Sequence, residues 1–248
     1  MAAPQACVLE SISLLDFVQL VLDQHNAPST MIVCGNRDAF LEQLTAATQP
    51  ASSDEALPDQ SDTREFSRET PPPHATQRWH VPTLRLLSKS RTVKLAFCPD
   101  ITHLRAYLAT YTPYGCYSDA IVSREGSDSQ RILAIVDLVQ LHRPTSAFSA
   151  QGLNRTLSIS IEAAHRTKSA LLLAESTPET QVATTQADLA STSPDLERPS
   201  ATSIWDEEVS ILNVTTKSFG VGERGWVGRT VKLRTIAARW CTFRKMND

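Results

Sequence analysis

Apolar positions along the chain follow two periods, and the periods alternate. Between residues 11 and 24, Ile12, Leu15, Val18 and Leu22, joined by Leu14 and Val21, build one broad apolar face, with Ser11 placed to cap it. That spacing predicts a helix. "STMIVC" then reads as a short buried strand, and "DAFLEQLTAA" as a second helix with Phe40, Leu41 and Leu44 turned inward. "TVKLAFC" is another strand, after which Pro99 and Asp100 open the helix "DITHLRAYLATY"; proline suits a first helical turn, where its missing N–H has no partner anyway. "RILAIVDL" is a continuous apolar strand of the kind that helices cover on both faces.

The alternation continues with the helix "SAQGLNRTLSISIEAAHR", in which Gly152 is an early weak point, and with the buried strand "SALLLAE". "SIWDEEVSIL", "RTVKLRT" and "ARWCTFRK" follow as three candidate strands without long helices between them. Repeated strand–helix units followed by adjacent strands predict an α/β fold: a mostly parallel sheet flanked by helices, with antiparallel strands at the C-terminal end.

Two stretches break the pattern. Residues 49–78 carry six acids and a triple proline with little to bury, and residues 175–202 are Ser/Thr-rich with three prolines. Neither can offset its own ordering entropy, so 49–78 is expected to be a disordered insertion and 176–202 a disordered loop. Neither flank alone has enough strands for a sheet, so 1–248 is expected to form one domain.

Composition narrows the class. The net charge of −3 excludes a globally basic nucleic-acid binder while leaving local patches open. The five cysteines (Cys7, Cys34, Cys98, Cys116, Cys241) are scattered, with no C-x-x-C, which fits reduced intracellular thiols rather than a zinc site or a disulfide framework. "ISLLDFVQLVL" is too short and too interrupted to span a membrane and lacks a basic start. The expectation is a soluble protein without membrane contact, in the nucleus or alternatively the cytoplasm.

Candidate chemistry is sparse. Asp137 ends the apolar run "ILAIVD"; four apolar residues and then an aspartate is the Walker B form, in which a carboxylate at a strand end holds magnesium. Its complement would be a loop of inward N–H groups and a lysine on the phosphates, G-x-x-x-x-G-K-[ST], and the chain has none. The turn in "MIVCGNRDAFLEQL" offers one glycine, Gly35, and "GVGERGWVGRT" lacks a lysine and reads as a hairpin loop. The six histidines are scattered, and His142, just past Asp137, reads as a surface-loop residue in the absence of a nucleophile motif. Neither a catalytic set, a metal site nor a cofactor is expected.

Charge is more informative near the C-terminus. From Lys217 to Lys245 eight basic residues (Lys217, Arg224, Arg229, Lys232, Arg234, Arg239, Arg244, Lys245) stand against one acid, Glu223, a local excess of +7. Trp226, Trp240 and Phe243 lie among them, a mixture suited to phosphate contact and base stacking. Alternation along "RTVKLR" would place Arg229, Val231 and Leu233 on one face and Thr230, Lys232 and Arg234 on the other. Arg224, Arg229, Lys232, Arg234, Arg239, Arg244 and Lys245 are therefore the candidate nucleic-acid contacts, with a solvated strand face as the competing reading.

The order of these segments resembles the core of the RecA-like recombinases and their eukaryotic paralogues. "SLLDFVQLVLD" is similar to that family's phosphate-loop helix, and "MIVCGNRDAFLEQL" to the strand and helix that follow it. "VKLAFCPDITHLRAYLATY" resembles the next pair, "RILAIVDLVQLHR" the Walker B strand, and "IWDEEVSIL", "TVKLRT" and "RWCTFRK" the closing strands. On this alignment the family's first strand and phosphate loop are absent, and Asp137 alone carries over, as a vestigial Walker B residue. The resemblance implies an ATPase-dead paralogue working as a hetero-oligomer subunit. In style it is similar to the Shu-complex subunit that partners a SWIM-domain protein and assists recombinase filaments. It implies an accessory, non-enzymatic role in recombination repair, with a protein partner and single-stranded or forked DNA; the alternatives are a RecA-like accessory subunit of Elongator, which binds transfer RNA, or an unrelated α/β interaction protein.

Overall fold

The computed structural model describes residues 5–23, 28–48, 83–113, 131–176, 203–212 and 229–245. The segment 49–78 lies outside these residues, as does 176–202 apart from Ser176. The α/β expectation holds. Strands β1 (Ala6–Glu10), β2 (Ser29–Cys34), β3 (Val93–Cys98), β4 (Arg131–Val136), β5 (Ser169–Ala174) and β8 (Thr242–Lys245) form one sheet in the order β3-β2-β4-β5-β1-β8. Every pairing in it is parallel. A separate antiparallel pair, β6 (Glu208–Ser210) with β7 (Thr230–Lys232), sits near the C-terminus.

Helices cover both faces because the crossovers run both ways. The connections from β1 to β2 and from β2 to β3 move toward one edge of the sheet, and right-handed crossing places α1 (Leu14–Asp23) and α2 (Arg37–Thr48) on one face. There Leu14, Phe17, Val21 and Phe40 bury against Cys7, Leu9, Met31, Val33, Ile132, Ala134 and Val136. The later connections move the other way, so α4 (Ile101–Ala109), α6 (Ala150–Arg166) and α7 (Leu233–Ala237) cover the opposite face. Leu104, Leu108, Leu153, Leu157 and Ile236 pack there on Val8, Ile32, Leu133, Ile135, Leu171 and Leu173. The two lists interleave along β1, β2 and β4, as a period of two requires.

Several expectations need correction. The strand expected to be missing before α1 is present: β1 lies inside the sheet, hydrogen-bonded to β5 on one side and β8 on the other. Helix α1 is capped by Ser13, whose Oγ accepts from the Asp16 N–H at 3.1 Å and donates to the Asp16 carboxylate at 2.7 Å, so Ser11 lies outside the cap. Leu41 is 43% exposed rather than inward. "RTVKLRT" is strand only to Lys232, after which α7 begins, so the alternation expected for Leu233 and Arg234 does not apply. Strand β8 joins the parallel sheet instead of extending the antiparallel pair, because α7 returns the chain to the starting end of β1.

Gly152 is placed by close packing. A Cβ there would meet the Ala147 carbonyl oxygen at 2.1 Å, while the Gly152 N–H donates to the Ser149 cap at 3.2 Å. Among the described residues no helix is long and apolar enough to cross a membrane.

Candidate functional site

Open parallel sheets bind ligands outside the carboxyl ends of their strands, where neighbouring crossovers leave in opposite directions. In this sheet the crossovers leaving β2 and β4 part in this way, and those leaving β5 and β1 also run in opposite directions. The residues just past the strands there are Asp137, after β4, and Glu175, after β5, neighbours because Val136 pairs with Ala174. Cys34 ends β2 opposite Cys98, and both thiols are pushed up by burial, Cys98 to about 11.

Asp137 takes a left-handed backbone, φ 62°, a conformation aspartate tolerates better than most side chains. Its Oδ1 accepts both the N–H and the hydroxyl of Ser176, each at 2.7 Å. Burial raises its pKa, against the lowering effect of those two bonds. Glu175 is 6% exposed, and its two oxygens accept the N–H groups of Val139 at 2.7 Å and Gln140 at 3.3 Å. These are orphan donors at the start of the short helix α5 (Leu138–His142). Burial first, and then the Asp137 charge, push Glu175 up to about 8. The two acids form a reciprocal clasp: Asp137 holds the chain leaving β5, and Glu175 holds the chain leaving β4.

The turn after β1, where the resemblance would place a phosphate, is only Ser11–Ser13. Ser11 is left-handed at φ 53°, and Ile12, 2% exposed, fills the turn. The strand end beside it carries Glu10, buried and paired with Arg234 of α7. Arg234 also lies 3.8 Å from Asp206, and its guanidinium sits 4.6 Å from the Phe243 ring centre. Phe243 meets Trp205 edge-on at 5.5 Å, in the 3-10 turn Ile204–Asp206. Arg234 thus fastens the C-terminal unit to β1. Replacing it with alanine should lower stability by about 2 kcal/mol in urea unfolding, because Glu10 is left buried without its cation. Arg244→Ala, on an exposed position, should stay within about 0.5 kcal/mol of the parent.

Compared with known proteins, this chain matches no family model, no curated sequence and no solved structure.

The other sequence-derived contacts are dispersed. Arg224 lies outside the described residues. Arg229, Lys232, Arg239, Arg244 and Lys245 are exposed. Along β8, Lys245 shares a face with Phe243 and Arg244 points to the other. Arg239 lies in the turn before β8, beyond the opposite end of that strand from Lys245. These residues line an edge and two faces rather than one stripe.

His142 corrects the surface-loop expectation, being wholly buried. Its Nδ1–H donates to the Leu138 carbonyl at 2.8 Å, which leaves Nε2 to accept the Thr156 hydroxyl at 3.0 Å. Arg105 Nε–H donates to the same Thr156 oxygen at 3.0 Å, and its Nη2–H to the Gly152 carbonyl at 2.9 Å. Burial, assisted by the Arg105 charge, lowers the His142 pKa against the Leu138 bond. Nearby, an open hollow of about 470 Å³ is lined by Asp100, His103, Arg105, Thr145 and Ser146 among others. Its acid is occupied: Asp100 caps α4 by accepting the His103 N–H at 2.9 Å and bonds Nδ1 of that ring at 2.6 Å.

Sequence reasoning found Asp137 and overlooked Glu175, Glu10 and β1. For β1 the signal was available, three apolar residues in a row at Cys7, Val8 and Leu9. For Glu175 it was not, because an acid opening a Ser/Thr-rich stretch looks solvated until α5 is folded against it.

Proposed function

We propose that this chain is a non-catalytic accessory subunit in homologous-recombination DNA repair. It is a RecA-like domain that scaffolds a partner protein in the nucleus and touches single-stranded or forked DNA through exposed basic residues. The observation that carries the non-catalytic part is the closed carboxyl edge of the sheet. Asp137, the Walker B-like acid, is spent on Ser176, and the turn after β1 is filled by Ile12. The turn itself, Ser11–Ser13, supplies no cation for a phosphate. The RecA-like part rests on segment order.

Nucleic-acid contact falls to Arg229, Lys232, Arg239, Arg244 and Lys245, since Arg234 is committed to Glu10. Lys232→Ala with Arg244→Ala should weaken binding to single-stranded DNA evenly across sequences. Each should flatten the log–log salt dependence by about one phosphate equivalent. Titration of labelled oligonucleotides at several salt concentrations measures this, and an unchanged slope removes DNA contact from the proposal. Affinity purification with identification of the bound proteins tests the rest. Recombination factors support it, whereas Elongator subunits together with a preference for transfer RNA would replace it.

A further inference from the structure

The two edges of the sheet differ. Strand β8 has four residues, two of them basic and exposed, a short charged edge of the kind that resists pairing. Strand β3 has six residues and, among the described residues, β2 as its only sheet neighbour. The Ser29 N–H donates to the Thr92 carbonyl and the Gly35 N–H to the Cys98 carbonyl, both at 2.9 Å. Even-numbered residues of β3 therefore bond to β2, and the N–H and C=O groups of Val93, Leu95 and Phe97 point away from the sheet.

Apolar surface accompanies that open ladder. Leu95 is 48% exposed, and on α3 (Leu84–Ser90), the helix that leads into β3, Leu87 is 52% exposed and Leu84 86%. The charge is of one sign: residues 83–98 contain four bases and no acid. Of these Arg91 and Lys94 are exposed, the latter with its ammonium 5.7 Å from the Tyr107 ring centre.

We infer that β3 is a docking edge that accepts, as an added strand, an extended acidic segment of a different protein with apolar residues at alternate positions. The inference rests on the scaffold reading above and gives it a surface. Strand addition satisfies the outward N–H and C=O groups, Leu95 receives the apolar positions, and carboxylates meet Arg91 and Lys94. A second copy of this chain is disfavoured as occupant, because it would bring the two sets of four bases together.

The test uses the full isotope-labelled chain and two synthetic decapeptides, alternating valine with glutamate and valine with lysine. The glutamate peptide should slow amide exchange at Val93, Leu95 and Phe97 by at least about tenfold, and added salt should weaken it. Leu95→Pro removes an outward N–H without touching a bond to β2 and should abolish the protection. Lys94→Glu should weaken it severalfold while lowering the melting temperature by no more than about 4 °C, the loss of its Tyr107 contact, which separates lost binding from lost folding. Equal protection by the lysine peptide overturns the inference, as does no protection by either. So do amides already protected in the monomeric free chain, meaning its own segment covers the edge, or a dimer in sedimentation that Leu95→Pro dissociates. The DNA titration does not involve β3, so failure here leaves the repair reading to its own test.

Discussion

Replacing Gly152 with alanine should lower the melting temperature by roughly 6–12 °C, from a loss of about 3 kcal/mol. The added methyl would lie 2.1 Å from the carbonyl oxygen of Ala147 and 3.0 Å from its carbon. That neighbour is backbone and cannot rotate aside. The first turn of α6 must then move away from the loop before it, loosening the Ser149 cap and the Arg105 bond to the Gly152 carbonyl. Because Arg105 also holds Thr156, and Thr156 holds His142, the disturbance reaches the junction of α4, α5 and α6. Gly35→Ala is the comparison: nothing lies within 4 Å of its added methyl, so only the backbone preference at φ +157° is charged, about 1 kcal/mol. Differential scanning calorimetry of both variants checks the pair, and equal melting temperatures would refute the packing argument.

Glu175 should make stability fall as pH rises from about 4.5 through 8. Its folded pKa, about 8, stands above its ordinary value of 4.5, so the folded chain keeps a proton that the unfolded chain has released. The favourable contribution is complete below the unfolded value and is lost as pH climbs through the folded one. The lost part is on the order of a few kcal/mol. Glu175→Gln has no proton to lose and keeps an oxygen for the Val139 N–H, giving up the weaker bond to Gln140. The variant should therefore be the less stable protein near pH 5 and the more stable one near pH 9. Urea unfolding at pH 5, 7 and 9 reads the difference directly, and the contribution from His142 largely cancels in it. Parallel curves for parent and variant would mean that Glu175 is ionised in the fold at neutral pH.

Both expectations concern residues whose importance the sequence only hinted at. The apolar periods located β2, β3, β4, β5, α1, α2, α4 and α6, because burying one face of a helix or both faces of a strand leaves a spacing that survives without coordinates. Asp137 was legible for the same reason: it is the first polar residue after a long apolar run. The C-terminal quarter was harder. Strands of three and four residues and a five-residue helix are too short to express a period. Alternation consequently put Arg234 among solvent-facing bases, although it pairs, half-buried, with the buried Glu10, 224 positions earlier.

The sequence by itself determined the fold class, the helix-covered parallel sheet and the absence of a glycine–lysine phosphate loop, since these depend on local spacing and residue type. Only the tertiary structure decided that β1 lies between β5 and β8, that Glu175 caps α5, that His142 is interior, and that β3 is the longer open edge. Each of those is a relation between residues far apart in the chain, made by the direction of the crossovers. No local pattern records such a relation.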